Sequence, residues 1–263
     1  CEGVSSVIRQ GIIPAAMEMI DKVIIYAVEK ALKPGFPTDA EAVLIVEVDG
    51  LEDGLEEEAD TVKELLLNAG ATEVKRARDE EERARIWRSR KEAFGAIGQI
   101  SPSYYVQDGV IPRSKLPEVL DKINGVGRKF GLTIANVFHA GDGNLHPLIL
   151  YRYDIPEEVE ATHNAGKEIL SICIEYGGSL SGEHGIGLEK APWMEETAGD
   201  LLSWMPESGL FDYPGQYEDL SNTLIAGLGL DACEKAGIRI PSKYWKRLYT
   251  GTLTCITPVE SYW

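Results

Sequence analysis

One histidine-bounded interval constrains the local fold of this chain more than any other segment. In His139-Ala-Gly-Asp-Gly-Asn-Leu-His146 the two histidines would sit about two turns apart on a single helix. Gly141 and Gly143 rule that helix out, because glycine gives up more backbone freedom than any other residue on entering one. The runs on either side, 132–138 and 147–153, are rich in apolar and β-branched residues, as buried strands are. The interval therefore predicts a tight turn between two strands. Such a turn can bring both imidazoles to one side.

The remaining pattern predicts the elements around this turn. Apolar residues at helical spacing predict a helix over 12–32, stopped by Pro34. Residues 42–48 predict a strand, and a helix follows from Asp53 or Gly54 to about Asn68, with Gly70 just past its end. A short strand is expected over 72–76, a charged helix over 79–96 and a strand over 104–107. Pro112 to Ser114 precede a helix over 115–130, and a helix over 156–176 ends at Gly177-Gly178. The strands and helices do not follow a regular βαβ alternation. The glycines at 177–178 and 185–187 do not form a Gly-x-Gly-x-x-Gly turn between strand and helix. The expected class is α+β: an antiparallel, ferredoxin-like sheet with helices packed on one face. From about Thr197 the periodicity fades; 219–236 has room for one helix and 244–263 reads as irregular. The expected division is a domain over 1–196 and a tail over 197–263.

The formal net charge of -17 repels phosphate, which argues against nucleic acid as a partner. The acids are spread over helical stretches, as solvated faces are. Cys1, Cys173, Cys233 and Cys255 form no Cys-x-x-Cys pair; they read as reduced thiols of a cytoplasmic protein, Cys173 on a buried helix face. No run of 18 apolar residues and no signal peptide is visible. The chain opens at Cys1 in mid-pattern, so it reads as a fragment or a processed chain.

The second motif is Gly182-Glu183-His184-Gly185. With it, three of the chain's four histidines lie in two glycine-framed segments. His139, His146 and the Glu183 carboxylate make a two-histidine, one-carboxylate set, a common open coordination for a catalytic divalent metal. His184 suits a general base, with a nearby metal lowering the pKa of the hydroxyl it deprotonates. Asp142 and Asn144 are either additional polar ligands or, as Asx residues in turns usually are, partners of the turn amides. Arg90 is either a two-pronged carboxylate clamp or part of a basic helix face paired with Glu80, Glu81 and Glu82. His163 reads as a surface residue, and Trp87 as core.

Four segments together resemble a known family. They are Trp87-x-x-Arg90, Tyr105-Val-Gln-Asp108-Gly-x-x-Pro112-Arg113, Asn136-Val-Phe-His139 through His146-Pro147, and Gly178-Ser-Leu-Ser-Gly-Glu183-His184-Gly-x-Gly187-Leu-Glu-Lys190. Over about residues 8–195 the chain resembles the C-terminal, substrate or cap, domain of the FAD-linked oxidases. The resemblance implies a flavoenzyme that oxidises a small D-2-hydroxy acid, glycolate or D-lactate, to the 2-oxo acid. It implies FAD, held mainly by an N-terminal domain not present here, and a divalent metal, zinc by preference. Carried over by position, it implies His139, His146 and Glu183 as metal ligands, His184 as base and Arg90 as the substrate-carboxylate residue. No cofactor-binding residue follows from it. It further implies FAD-binding and iron–sulfur partner subunits, and a cytoplasmic location that extends to the inner membrane face. Residues 197–263 depart from the family pattern. Two other readings stand beside this one: a non-catalytic subunit that needs a separate FAD-binding chain, and a flavin-free metal-dependent hydrolase using the same ligands.

Overall fold

The computed structural model describes residues 2–50 and 52–185, scattered positions from 190 to 235, and 237–254. The chain forms two compact units, Cys1–His184 and Gly185–Trp263. The first contains, in order, α1 (Glu2–Arg9), β1 (Ala16–Asp21), α2 (Lys22–Ala31), β2 (Ala42–Glu47), α3 (Glu52–Asn68), α4 (Glu80–Lys91), α5 (Ala93–Ala96), β3 (Ser103–Val106), β4 (Gly109–Val110), α6 (Leu116–Phe130), β5 (Thr133–His139), β6 (Asn144–Tyr151) and α7 (Pro156–Glu175). The strands form one antiparallel sheet in the order β2-β1-β5-β6-β3, and β4 also pairs with β6. This is the α+β class that the sequence predicts.

Alternation along the strands sorts side chains to two faces. On one face Met17, Ile134, Phe138, Leu145 and Ile149 join residues of α1, α3, α6 and α7 in the larger core. On the other, Ile20, Ala135, Val137, Leu148 and Leu150 pack with Ile24, Ile25 and Val28 of α2 and with Ala93 and Ala96 of α5. Glu18, His139 and His146 belong to this second face by period: Glu18 is two residues from Ile20, His139 two from Val137, and His146 two from Leu148. The smaller core thus has an apolar body and a polar end.

The helix expected over 12–32 is a strand followed by a helix. Residues 16–21 pair with β2 on one side and β5 on the other, and this pairing overrides a spacing that fits either period. Asp21 marks the switch. Its Oδ1 accepts from the Val23 and Ile24 amides at 3.0 Å each, capping α2. Its Oδ2 accepts from the Asn136 amide at 2.7 Å and from Asn136 Nδ2 at 3.0 Å, tying that cap to β5. Burial pushes the Asp21 carboxyl pKa up despite these bonds.

Three other expectations differ from the structure. Residues 72–76 form no strand; Val74 packs on the larger core and Arg76 reaches Glu56 of α3 at 2.9 Å, so the segment lies along a helix. The helix expected over 79–96 breaks at Glu92, whose ψ of 6° leaves the helical range. The stretch expected to be irregular from 244 onward contains α8 (Ser242–Thr254). In that second unit Met205, Leu230, Cys233 and Ile240 form a small core with Tyr244, Trp245 and Leu248 around it. The helix expected over 219–236 falls mostly outside the described residues, as does most of the region around the expected division at 196/197. Cys173 lies buried on α7 as expected. Among the described residues no helix is long and apolar enough to cross a membrane.

Asp21→Ala removes a helix cap and leaves the amide of Asn136 without its acceptor. It should cost about 2–4 kcal/mol, seen as a lower urea midpoint with an unchanged slope.

Candidate active site

The hairpin predicted from the two histidines is β5–β6. His139 ends β5 opposite Asn144, and His146 lies opposite Val137. The connection is tight: the Asp142 and Gly143 amides both donate to the His139 carbonyl, at 3.2 and 3.1 Å. Gly143 has φ +76°, and a Cβ there would stand 2.2 Å from the Ile111 carbonyl oxygen. Only glycine meets both demands. Arg113 Nη1 closes the turn from outside by donating to the Gly141 carbonyl at 3.1 Å.

Across this hairpin lies the segment 181–184. Glu183 Oε2 is 3.2 Å from His146 Nε2 and 3.6 Å from His139 Nε2. The three donor atoms lie within 4.8 Å of one another. A tetrahedral ion with ligand bonds of about 2.1 Å requires donor–donor edges of about 3.4 Å; the two Glu183–histidine separations are close to that edge, so the donor types and spacing suit a small divalent cation. His146 is 3 % exposed. Burial and then the neighbouring His139 pull its pKa down, which favours the neutral, ligating form. His184 stacks on it, with ring centroids 5.1 Å apart and planes at 14°. The structure thus brings together His139, His146, Glu183 and His184. Asp142 is not a member of the three-donor cluster. His163 is exposed on α7, edge-on to Tyr105.

Reading by residue type gave Asp108 no role, yet it holds the second motif in place. This carboxylate, 1 % exposed, accepts from Ser181 Oγ at 2.6 Å and from the amides of Gly182, Glu183 and His184 at 3.0, 3.2 and 2.9 Å. Three successive amides converging on one anion form a compact nest. Gly182 is necessary there, because a Cβ would stand 2.7 Å from the Asn144 side chain. Asn144 therefore packs under the loop. The buried Asn144 Oδ1 and His146 Nδ1 have no hydrogen-bond partner; Asp108 Oδ1 lies 4.0 Å from the latter.

Arg90 is near this cluster and buried, and it does not pair with the acids in the first turn of its helix. Glu80 pairs with Arg83 and Glu82 with Arg78. Arg90 Nε and Nη2 both donate to Glu18 Oε2, at 2.9 and 2.7 Å. Its Nη1 makes no hydrogen bond to a described residue. The second Glu18 oxygen, Oε1, is 2.7 Å from His139 Nδ1. That bond raises the His139 pKa, with burial acting against it. The sequence carried no sign of Glu18: it lies in a segment that reads as helix, 121 positions from its partner.

Asp108→Asn replaces an anion facing four donors by an amide that accepts at one oxygen only. Hydrogen exchange of the Gly182, Glu183 and His184 amides should speed up about 10–100-fold, because each charge-assisted bond is worth about 1.5–3 kcal/mol. Unchanged exchange would show that the loop is held by something else.

Comparison with known proteins identifies the family of the chain. The pattern of the FAD linked oxidases, C-terminal domain, matches residues 1–205. The glycolate oxidase subunit GlcD of Escherichia coli K12 is 51 % identical over 214 residues, covering 81 % of this chain and 43 % of that protein. GlcD of Bacillus subtilis is 35 % identical over 192 residues, 73 % of this chain and 41 % of its own length. The probable mitochondrial D-lactate dehydrogenase of Danio rerio is 28 % identical over 197 residues, 74 % and 39 % of the two chains. The chain therefore spans less than half the length of the curated relatives it matches. Among solved structures, p-cresol methylhydroxylase with substrate bound has a TM-score of 0.53 at 12 % identity, covering 92 % of this chain and 49 % of that one; this is a likeness of fold alone. By sequence pattern and by its relatives, the chain belongs to the FAD-linked oxidase family, in its C-terminal domain.

Proposed function

We propose that this chain is the substrate-facing part of a flavin-dependent oxidoreductase that converts a small D-2-hydroxy acid, glycolate or D-lactate, to the 2-oxo acid. The observation that carries this reading is the convergence of His139, His146 and Glu183 on one point, with His184 stacked beside them. The relatives support it, being glycolate oxidase subunits and a probable D-lactate dehydrogenase. His139, His146 and Glu183 would hold a divalent cation, zinc by preference, whose Lewis acidity acidifies a bound hydroxyl. FAD, held mainly by a separate domain or chain, supplies the two-electron acceptor for the α-hydrogen. No residue of this chain is assigned to FAD, since it carries no Gly-x-Gly-x-x-Gly turn.

The chain's own residues bind the acid and move its proton. Arg90, held by Glu18 along its Nε–Nη2 edge, presents Nη1 to the substrate carboxylate. His184 takes the hydroxyl proton as the α-carbon is oxidised; its stacking on His146 limits the ring to a narrow set of positions. Asp108 keeps Glu183 and His184 at fixed separation, so base and ligand act on the same hydroxyl. The hydrolase alternative is weaker on chemical grounds: it would need a further free carboxylate, and Asp108 is engaged by the loop amides and Glu18 by Arg90 and His139. FAD-binding and iron–sulfur subunits are the proposed partners, in the cytoplasm or at the inner membrane face.

In the full-length enzyme, His139→Ala and Glu183→Ala should abolish both bound metal and dye-coupled oxidation of glycolate and D-lactate. His184→Gln should keep the metal while kcat falls about 10²–10⁴-fold. Metal analysis beside steady-state kinetics checks both, and undiminished turnover in His139→Ala would refute the assignment.

A further inference from the structure

We infer that Glu18 is the positioning residue of the metal centre: it fixes the ring orientation and tautomer of His139 so that Nε2 is presented to the ion, and Arg90 holds Glu18 in place for that task. The inference rests on the metal reading proposed above and adds to it a residue outside the ligand set.

An imidazole that ligates through Nε2 must keep its proton on Nδ1. A carboxylate accepting from that Nδ1–H makes this tautomer the favoured one and increases the ligand's basicity. Glu18 Oε1 stands 2.7 Å from His139 Nδ1, while His139 Nε2 faces Glu183. The contact does not come from a mobile loop. Glu18 and His139 are directly opposed on neighbouring strands β1 and β5, so the sheet register itself sets the approach. The two Glu18 oxygens divide their partners, Oε1 to His139 and Oε2 to Arg90 Nε and Nη2. A salt bridge that served only to dock α4 on the sheet would need no histidine on its other oxygen. The guanidinium meets this carboxylate where its side chain is only 10 % exposed, so the pair is buried together and its geometry is held by the packing around it. Among the described residues, the second ligand imidazole has no equivalent: His146 Nδ1 has no hydrogen-bond partner, and Asp108 Oδ1 is 4.0 Å away. His139 is therefore the ligand whose orientation is built in, and His146 is oriented by burial.

The test uses the full chain and zinc ions alone, with no flavin and no turnover. Glu18→Gln keeps the shape but cannot accept from both sides: an oxygen toward His139 leaves its NH₂ against the Arg90 donors, and the reverse arrangement puts NH₂ against His139. Competition with a chelating dye should give a zinc Kd about 10–100-fold weaker than wild type. Long-range ¹H–¹⁵N correlation spectra of the zinc-free chain, taken at alkaline pH where the ring is neutral, should show His139 as the Nδ1–H tautomer in wild type and lose that preference in Glu18→Gln. A second variant, Glu18→Leu with Arg90→Met, replaces the buried pair by apolar side chains and is expected to fold with wild-type urea stability or better. It should still bind zinc about 10–100-fold more weakly. If either folded variant binds zinc with wild-type affinity, or retains the His139 tautomer preference, the inference is overturned. If the wild-type chain takes up no zinc, the metal reading fails with it, and that outcome is distinct from the first.

Discussion

The assembly of the site depends on one buried carboxylate and the four donors that converge on it. Asp108 is almost wholly shielded from water, and an uncompensated charge in that position would cost several kcal/mol. The Ser181 hydroxyl and three consecutive amides offset that cost, each charge-assisted bond being worth about 1.5–3 kcal/mol. The balance is favourable only when all the donors are delivered together, so 181–184 adopts one backbone path. That path puts the Glu183 oxygen against two imidazole nitrogens and the His184 ring against one of them. Without Asp108 the two motifs would be neighbours in name only.

The sheet provides the other wall. Strand alternation places Glu18, His139 and His146 on the face that also carries Ile20, Val137 and Leu148, at the end where the smaller core gives way to polar groups. The burial that lowers the His146 pKa and shields Glu18 thus follows from the packing of α2 and α5. Asp21 joins that packing to β5, since one carboxylate caps α2 and binds Asn136. Core and site share elements, which is why a polar cluster of this density can sit beside fully buried isoleucines.

The four members of the central cluster were legible because their signal is local. Gly141 and Gly143 between His139 and His146 exclude a helix there, and a Glu-His step framed by glycines has few ordinary structural uses. Arg90 was legible as a candidate but not its partner. The run of charges on the same helix pointed to Glu80, Glu81 and Glu82, whereas the structure pairs Arg90 with Glu18. Glu18 itself was hidden by a period that fits either a helix or a strand followed by a helix; only pairing with two neighbouring strands separates these. Residues 72–76 erred the other way, carrying strand-like residues with no strand to pair with.

The sequence by itself determined the donor inventory, the hairpin between the histidines and the α+β class, because each rests on backbone freedom and short-range periodicity. The tertiary structure alone decided which carboxylate serves which histidine. Glu18 reaches His139 through β-register, Asp108 gathers the loop through its amides, and Glu183 bridges the imidazoles from a third segment. Those pairings span tens of residues and more than a hundred in the case of Glu18 and His139, and no local spacing encodes them. Electrostatic pairing in a buried site is a property of where strands and loops meet, and that is set by the packing of the whole unit.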